Sequence, residues 1–192
     1  ARGGHLDVVK LIHENHNEGC TVDTMDIAAE YGHLNVVKWL HENCEKGCTT
    51  WAMDYAASNG HLDVIKWLHE NRTEGCTASA MDLAAAKGHL DVVKWLHNNR
   101  TEGCTEWAMC MAAADGHLGV IQWLHENRNE KCMTRTMNQA AKRGHFEVVK
   151  WLYYNRRDDC DIKYAADYAA IDGHVDIAAW LYNKNSSAHS TM

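Results

Sequence analysis

The stretch from Gly88 to Thr105, GHLDVVKWLHNNRTEGCT, places two histidines and a cysteine within a few turns of chain. Imidazole nitrogen and thiolate sulfur are zinc ligands, and a thiol beside an imidazole is the pairing that activates a cysteine nucleophile. Either chemistry requires convergence, because zinc gathers about four ligand atoms at roughly 2.0–2.3 Å from one point. Whether these groups converge depends on the elements that carry them.

Those elements repeat. Gly-His recurs at Gly4, Gly32, Gly60, Gly88, Gly116, Gly144 and Gly173, with a spacing of 28 residues five times and 29 once. Cysteines keep the same beat at Cys20, Cys48, Cys76, Cys104, Cys132 and Cys160, as do Trp39, Trp67, Trp95, Trp123, Trp151 and, one late, Trp180. Self-similarity of this kind marks stacked supersecondary units. The chain divides into a partial repeat 1–20, repeats 21–48, 49–76, 77–104, 105–132 and 133–160, a C-terminal repeat 161–183, and a polar tail 184–192.

Within one unit, Gly60 to Asn71 reads GHLDVIKWLHEN. On a helix, Leu62, Val64, Ile65, Trp67 and Leu68 fill a wide apolar arc, and Asp63, Lys66 and Glu70 take the narrow remainder. The preceding TTWAMDYAASN offers Thr49 or Thr50 as N-cap and a run of good helix formers. Gly60 then sits where a left-handed residue ends a helix. Each unit is a short helix, a glycine turn and a longer helix, and such a pair covers its apolar faces only by stacking on its neighbours.

AMDYAASNGHLDVIKWL, residues 52 to 68, resembles the ankyrin repeat's T-P-L-H-L-A-A-x-x-G-H-L-E-V-V-K-L-L, and the likeness runs from residue 1 to about 183. The resemblance implies an all-α, ankyrin-like α-solenoid of stacked helix-turn-helix units. Ankyrin repeats have about 33 residues, and these units are shorter in the stretch where the family carries β-hairpin fingers. Short loops replacing those fingers are therefore expected, the more so because the T-P-L-H motif is absent and the chain contains no proline.

Translation argues against a metal or catalytic centre. Equivalent residues in stacked helical units lie about 10 Å apart, so His5, His33, His61, His89, His117, His145 and His174 do not gather round one atom. Each is expected to hydrogen-bond a backbone carbonyl or the nearby short-helix aspartate and so hold its turn. The second column, His13, His41, His69, His97 and His125, is placed at the end of the longer helix, where imidazole suits exposed carbonyls. The column cysteines are expected to be small buried apolar groups rather than disulfide partners, which need Cα atoms under about 7 Å apart. Two cysteines fall off the beat: Cys44 makes a C-x3-C with Cys48, and Cys110 a C-x5-C with Cys104. With one histidine either pair offers at most an adventitious metal site. No catalytic motif or phosphate loop occurs, and features present five or more times do not make a singular active site. No enzyme activity, cofactor or metal is expected.

Composition bounds the partners. Lys plus Arg number 19 against 26 Asp plus Glu, a formal net charge of −7, which disfavours nucleic acid and acidic membranes. No apolar run approaches the ~20 residues that span a bilayer. Eight cysteines without a secretory leader in view point to reduced thiols and an intracellular, cytoplasmic or nuclear location. Asn71-Arg72-Thr73 and Asn99-Arg100-Thr101 then read as loop residues. The chain opens inside what should be a short helix, so Leu6 and Val9 are expected to lack a stacking partner and the chain to derive from a longer array. The tail NKNSSAHSTM reads as irregular.

If the shared columns build the stack, recognition falls to the columns that vary. Large aromatics dominate interface energies, so Trp51 and Trp107, at the start of two short helices and about 20 Å apart, are the candidate anchors. By resemblance, ankyrin proteins grip partners with the short-helix start and with the pair before the glycine. This adds Tyr31, Asn59, Lys87, Asp115 and the basic positions Arg135, Lys142 and Arg143, which with Arg156 and Arg157 make repeat 133–160 suited to a phosphate or an acidic segment. The expected function is a non-enzymatic, monomeric scaffold that binds a partner protein. The alternatives are a structural spacer within a larger protein and, remotely, a zinc-binding protein or enzyme.

Overall fold

In the computed structural model the described residues are 1–15, 20–130 and 133–189. Repeat 49–76 shows how the sequence makes its helices. Thr49 is extended, with φ −108°, and its Oγ1 accepts the Trp51 N–H at 3.1 Å, so α4 (Thr50–Ser58) begins there. At the other end Gly60 adopts φ +76°, the His61 N–H reaches Ala56 O at 2.9 Å and the Gly60 N–H reaches Ala57 O at 3.2 Å. These are the two bonds of a Schellman turn, which uses up carbonyls that the helix end leaves open. The following helix, α5 (Leu62–Asn71), buries Val64, Ile65 and Leu68, and its last turn is closed by Asn71 Nδ2 donating to Trp67 O at 2.8 Å.

The same plan gives the long helix α1 (Leu6–Asn15) and the pairs α2 (Val22–Glu30) with α3 (Leu34–Asn43), α6 (Ala78–Ala86) with α7 (Leu90–Asn99), and α8 (Glu106–Ala114) with α9 (Leu118–Asn127). It continues with α10 (Arg135–Lys142) and α11 (Phe146–Asn155), a 3-10 turn at Arg157–Asp159, then α12 (Ile162–Ile171) and α13 (Val175–His189). Among the described residues there is no strand, and the connections 44–49, 72–77 and 100–105 are irregular loops. The last helix runs through 184–189, in the stretch read as an irregular tail: it contains no glycine or proline to stop it, and Ser186 Oγ donates to Tyr182 O at 3.0 Å.

Residues 1–84 with 89–104 form one compact unit, and residues 85–88 with 105–192 form another. In the first, α2 packs on α4 and α3 on α5; in the second, α10 packs on both α8 and α12. Short helices therefore lie on short helices, and fully buried alanines such as Ala28, Ala29, Ala56 and Ala57 let their backbones come close. Met25 and Met53 are buried, as are Val36, Val37, Leu40, Val64, Ile65 and Leu68. Truncating a buried leucine of this kind to alanine costs about 2–5 kcal/mol.

Two expectations change. The tryptophan column is not core: Trp39, Trp67 and Trp95 are only half-buried. Each ring is met edge-on by the histidine of the preceding repeat, His13 on Trp39 at 5.3 Å, His41 on Trp67 at 5.2 Å and His69 on Trp95 at 5.2 Å. The second histidine column thus packs across a repeat junction rather than capping its own helix. The partial first repeat leaves α1 without a buried residue, with Val8, Leu11 and Ile12 exposed.

Candidate partner-binding surface

The recurring polar residues turn out to join one repeat to the next. Asp26 Oδ1 accepts the Thr49 N–H at 2.8 Å and its Oδ2 accepts the Thr49 hydroxyl at 2.6 Å; Asp54 does the same for Thr77 at 2.8 and 2.7 Å. Each buried carboxylate therefore fixes the N-cap of the following short helix and is not free for the Gly-His histidine, as one reading of the sequence had it. Burial pushes the Asp54 carboxyl above its ordinary range, against the pull of the two Thr77 bonds. The histidine instead lies on the glycine of the repeat before: a Cβ built on Gly32 would sit 2.6 Å from His61 Nδ1, and one on Gly116 2.6 Å from His145 Nδ1. Only at His33 is a ring bond to a carbonyl seen among the described contacts, Nε2 to Arg2 O at 2.9 Å.

One signal for the Asp–Thr link was present but unread. Where Cys110 stands in the aspartate column, Met133 stands in the threonine column, so both members of one pair are replaced together. Losing both partners is far cheaper than burying one alone. Off-beat Cys110 is accordingly a buried apolar group.

Against this scaffold the candidate recognition residues differ sharply. Trp51 is 59% exposed, with Tyr55 against it edge to face at 5.9 Å. Its counterpart in the next repeat is Ser79, too short to cover it. Trp51 and Tyr55 line a groove of about 450 Å³ together with Asp23, Asp26, Ile27 and Glu30. Trp107 is 46% exposed, but the Arg135 guanidinium lies over its ring at 4.2 Å, so one face is already occupied. The two tryptophans are thus not equivalently open.

The pair before each glycine is largely spent inside the chain. Asn59 Nδ2 donates to Glu30 O at 3.0 Å and Tyr55 O at 3.1 Å. Tyr31 carries the Arg2 guanidinium over its ring at 5.0 Å. Asp115 is ion-paired with Arg143, which also donates to Ala114 O at 3.4 Å. Lys87 and Lys142 are exposed. The basic character of repeat 133–160 is consumed in the same way, since Arg156 donates to Glu130 O at 3.1 Å and Arg157 lies over Tyr153 at 5.0 Å. Within this repeat Arg135, Arg143, Arg156 and Arg157 each contact a ring, a carbonyl or a carboxylate, and Lys142 is exposed.

The loops between repeats hold a second recurring cluster. Arg72 is ion-paired with Glu74 and donates Nη1 to His41 Nδ1 at 3.2 Å; Arg100 repeats this with Glu102 and with His69 at 3.3 Å. Burial would raise the Glu74 carboxyl, but bonds from Arg72 and from backbone N–H groups outweigh it and hold it at about 2. Burial raises the neighbouring Cys48 and Cys76 thiols to about 11, so they are inert at neutral pH. At the first junction the expectation that thiols stay apart fails. Cys20 and Cys44 form a disulfide with Cα atoms 6.2 Å apart, and Cys20 Sγ lies 3.5 Å from His13 Nδ1. The step argument holds for cysteines in one column; Cys44 is in another.

The arrangement defines a helical-repeat protein, in which fixed columns bind repeat to repeat and variable short-helix positions reach the surface. The chain belongs to the ankyrin-repeat family: the family model described as ankyrin repeats (3 copies) matches residues 25–106 and 109–191. No curated protein matches the chain significantly. Ankyrin repeats are in general protein–protein interaction modules and are generally not enzymatic. No helix among the described residues is long and apolar enough to cross a membrane.

Proposed function

We propose that this chain is a non-enzymatic scaffold that binds a partner protein through its variable short-helix face, with Trp51 as the principal anchor. The observation that carries the reading is an indole 59% exposed over a groove. Fully burying an aromatic of this size removes about 150–250 Å² from water. At ~25 cal/mol per Å² the exposed share of Trp51 is worth roughly 2–4 kcal/mol to a partner that covers it. The rigid helix pairs hold it in place, so little ordering cost opposes binding.

The groove also selects chemistry. Asp26 is committed to Thr49, which leaves the carboxylates of Asp23 and Glu30 beside Trp51, Tyr55 and Ile27. A net charge of −7 adds a favourable field for cations. The fitting partner segment carries lysine or arginine next to an apolar side chain, and Arg2 over Tyr31 is the chain's own instance of that pairing.

Fluorescence polarisation with labelled basic–apolar and acidic–apolar peptides tests this. The basic peptides should bind, lose at least tenfold in affinity with Trp51→Ala, and weaken with Asp23→Lys or Glu30→Lys. Equal binding of both peptide classes, or indifference to Trp51→Ala, contradicts the reading.

A further inference from the structure

The disulfide at the first junction occupies a place that elsewhere holds a cation. In the columns of the repeat, Cys44 stands where Arg72, Arg100, Arg128 and Arg156 stand, and His13 stands where His41 and His69 stand. Arginine is a donor only and stays charged. The Arg72–His41 bond therefore requires the unprotonated, lone-pair form of His41 Nδ1. The junction is built to aim an imidazole lone pair at a positive centre. At the first junction the positive centre is missing, and two sulfurs lie in its place: Cys20 Sγ, Cys44 Sγ and His13 Nδ1 are all within 4.8 Å of one another.

We propose that, when the Cys20–Cys44 bond is reduced, His13 Nδ1, Cys20 Sγ and Cys44 Sγ form a binding site for a thiophilic divalent cation such as Zn²⁺. Two sulfurs and one imidazole nitrogen are a donor set that zinc takes with its fourth position open to water. Tetrahedral zinc sets its ligand atoms roughly 3.5 Å apart, a separation the two sulfurs reach by side-chain rotation once the bond between them is broken. The ion replaces the guanidinium charge and joins repeat 1–20 to repeat 21–48, as Arg72 joins repeat 49–76 to repeat 21–48. A phosphine and one water reduce the disulfide to two thiols and leave phosphine oxide; Zn²⁺ then displaces both thiol protons to solvent. The disulfide and the metal complex use the same sulfurs and exclude each other.

The test is Co²⁺ titration of the full chain, reduced with a phosphine and kept under nitrogen, followed by absorption. One equivalent should bind, with sulfur-to-cobalt charge transfer and visible bands of a tetrahedral ion, and Zn²⁺ should bleach them. Cys44→Arg restores the residue of the other repeats and so should fold, yet it should abolish binding. His13→Ala should weaken binding at least tenfold, Cys48→Ser should leave it unchanged, and the oxidised chain should bind none. Absence of a stoichiometric site in the reduced chain overturns the proposal, as does binding that survives Cys44→Arg.

Discussion

Gly60→Ala tests the interlock between repeats in two separable parts. The first part is backbone. Gly60 sits at φ +76°, and placing an L-residue in that left-handed region costs ~1–2 kcal/mol. The second part is contact: the added Cβ would lie 2.7 Å from both Cε1 and Nδ1 of His89, closer than carbon atoms approach. Forcing a methyl into such a packed site costs ~1–3 kcal/mol. Alanine's smaller unfolded-state entropy returns ~0.5–1 kcal/mol, so the net loss is about 1–4 kcal/mol. Other glycines isolate the parts. Gly173 is also left-handed, at φ +83°, but has nothing within 4 Å, so Gly173→Ala should cost only the backbone share. Gly119, in α9, has free space and no positive φ, and Gly119→Ala should stabilise by ~0.5–1 kcal/mol. Urea unfolding followed by circular dichroism measures all three. Adding His89→Ala to Gly60→Ala should recover about 1 kcal/mol or more relative to additivity. If Gly60→Ala costs no more than Gly173→Ala, or if the double-mutant cycle shows no coupling, the histidine-on-glycine interlock is wrong.

The remaining predictions concern the links between repeats. Asp54→Cys alone should lower stability by ~2–3 kcal/mol by stranding the Thr77 donors, whereas Asp54→Cys with Thr77→Met, the pairing found naturally at Cys110 and Met133, should cost clearly less by chemical denaturation. Cys48 and Cys76 have folded-state pKa values raised from 9.0 to about 11, so their contribution is fully present below about pH 9 and is lost as pH rises through 11. The double Cys48→Ala, Cys76→Ala variant should flatten the stability profile over that alkaline window. Glu74 runs the other way: its pKa falls from 4.5 to about 2, so its contribution is present above about pH 4.5 and is lost as pH falls toward 2. Thermal melts of Glu74→Gln should accordingly differ from wild type at neutral pH and converge with it at the acid end.

The period, the glycine turn, the threonine cap and the helix pair were all legible in the sequence, because each is local. Thr49 caps a helix that starts one residue on, and Gly60 ends one that stops two residues before. What each column touches was not legible. A periodic pattern says that His61, His89 and His117 are equivalent, but not whether each reaches within its own repeat or onto the glycine of the last. The Asp26–Thr49 bonds span 23 residues, and the Arg72–His41 bond spans 31. The same holds at the first junction: spacing alone sets Cys44 near Cys48, whereas its bonded partner is Cys20 of the repeat before. At the candidate surface, sequence singled out Trp51 and Trp107 alike. The Arg135 one step after Trp107, and the Ser79 one step after Trp51, distinguish them only once side-chain reach between repeats is known.

Fixed columns build the scaffold, and the proposed function rests on Trp51, which is left open. The direct measurement compares Trp51→Ala with wild type in two readouts on the same samples: melting temperature, and affinity for a basic–apolar peptide that the wild-type chain binds. Unchanged melting within a few degrees with affinity reduced roughly 30-fold to several-hundredfold is the predicted result. A melting temperature that drops as far as for Leu68→Ala, with affinity unchanged, places Trp51 in the scaffold and contradicts the account.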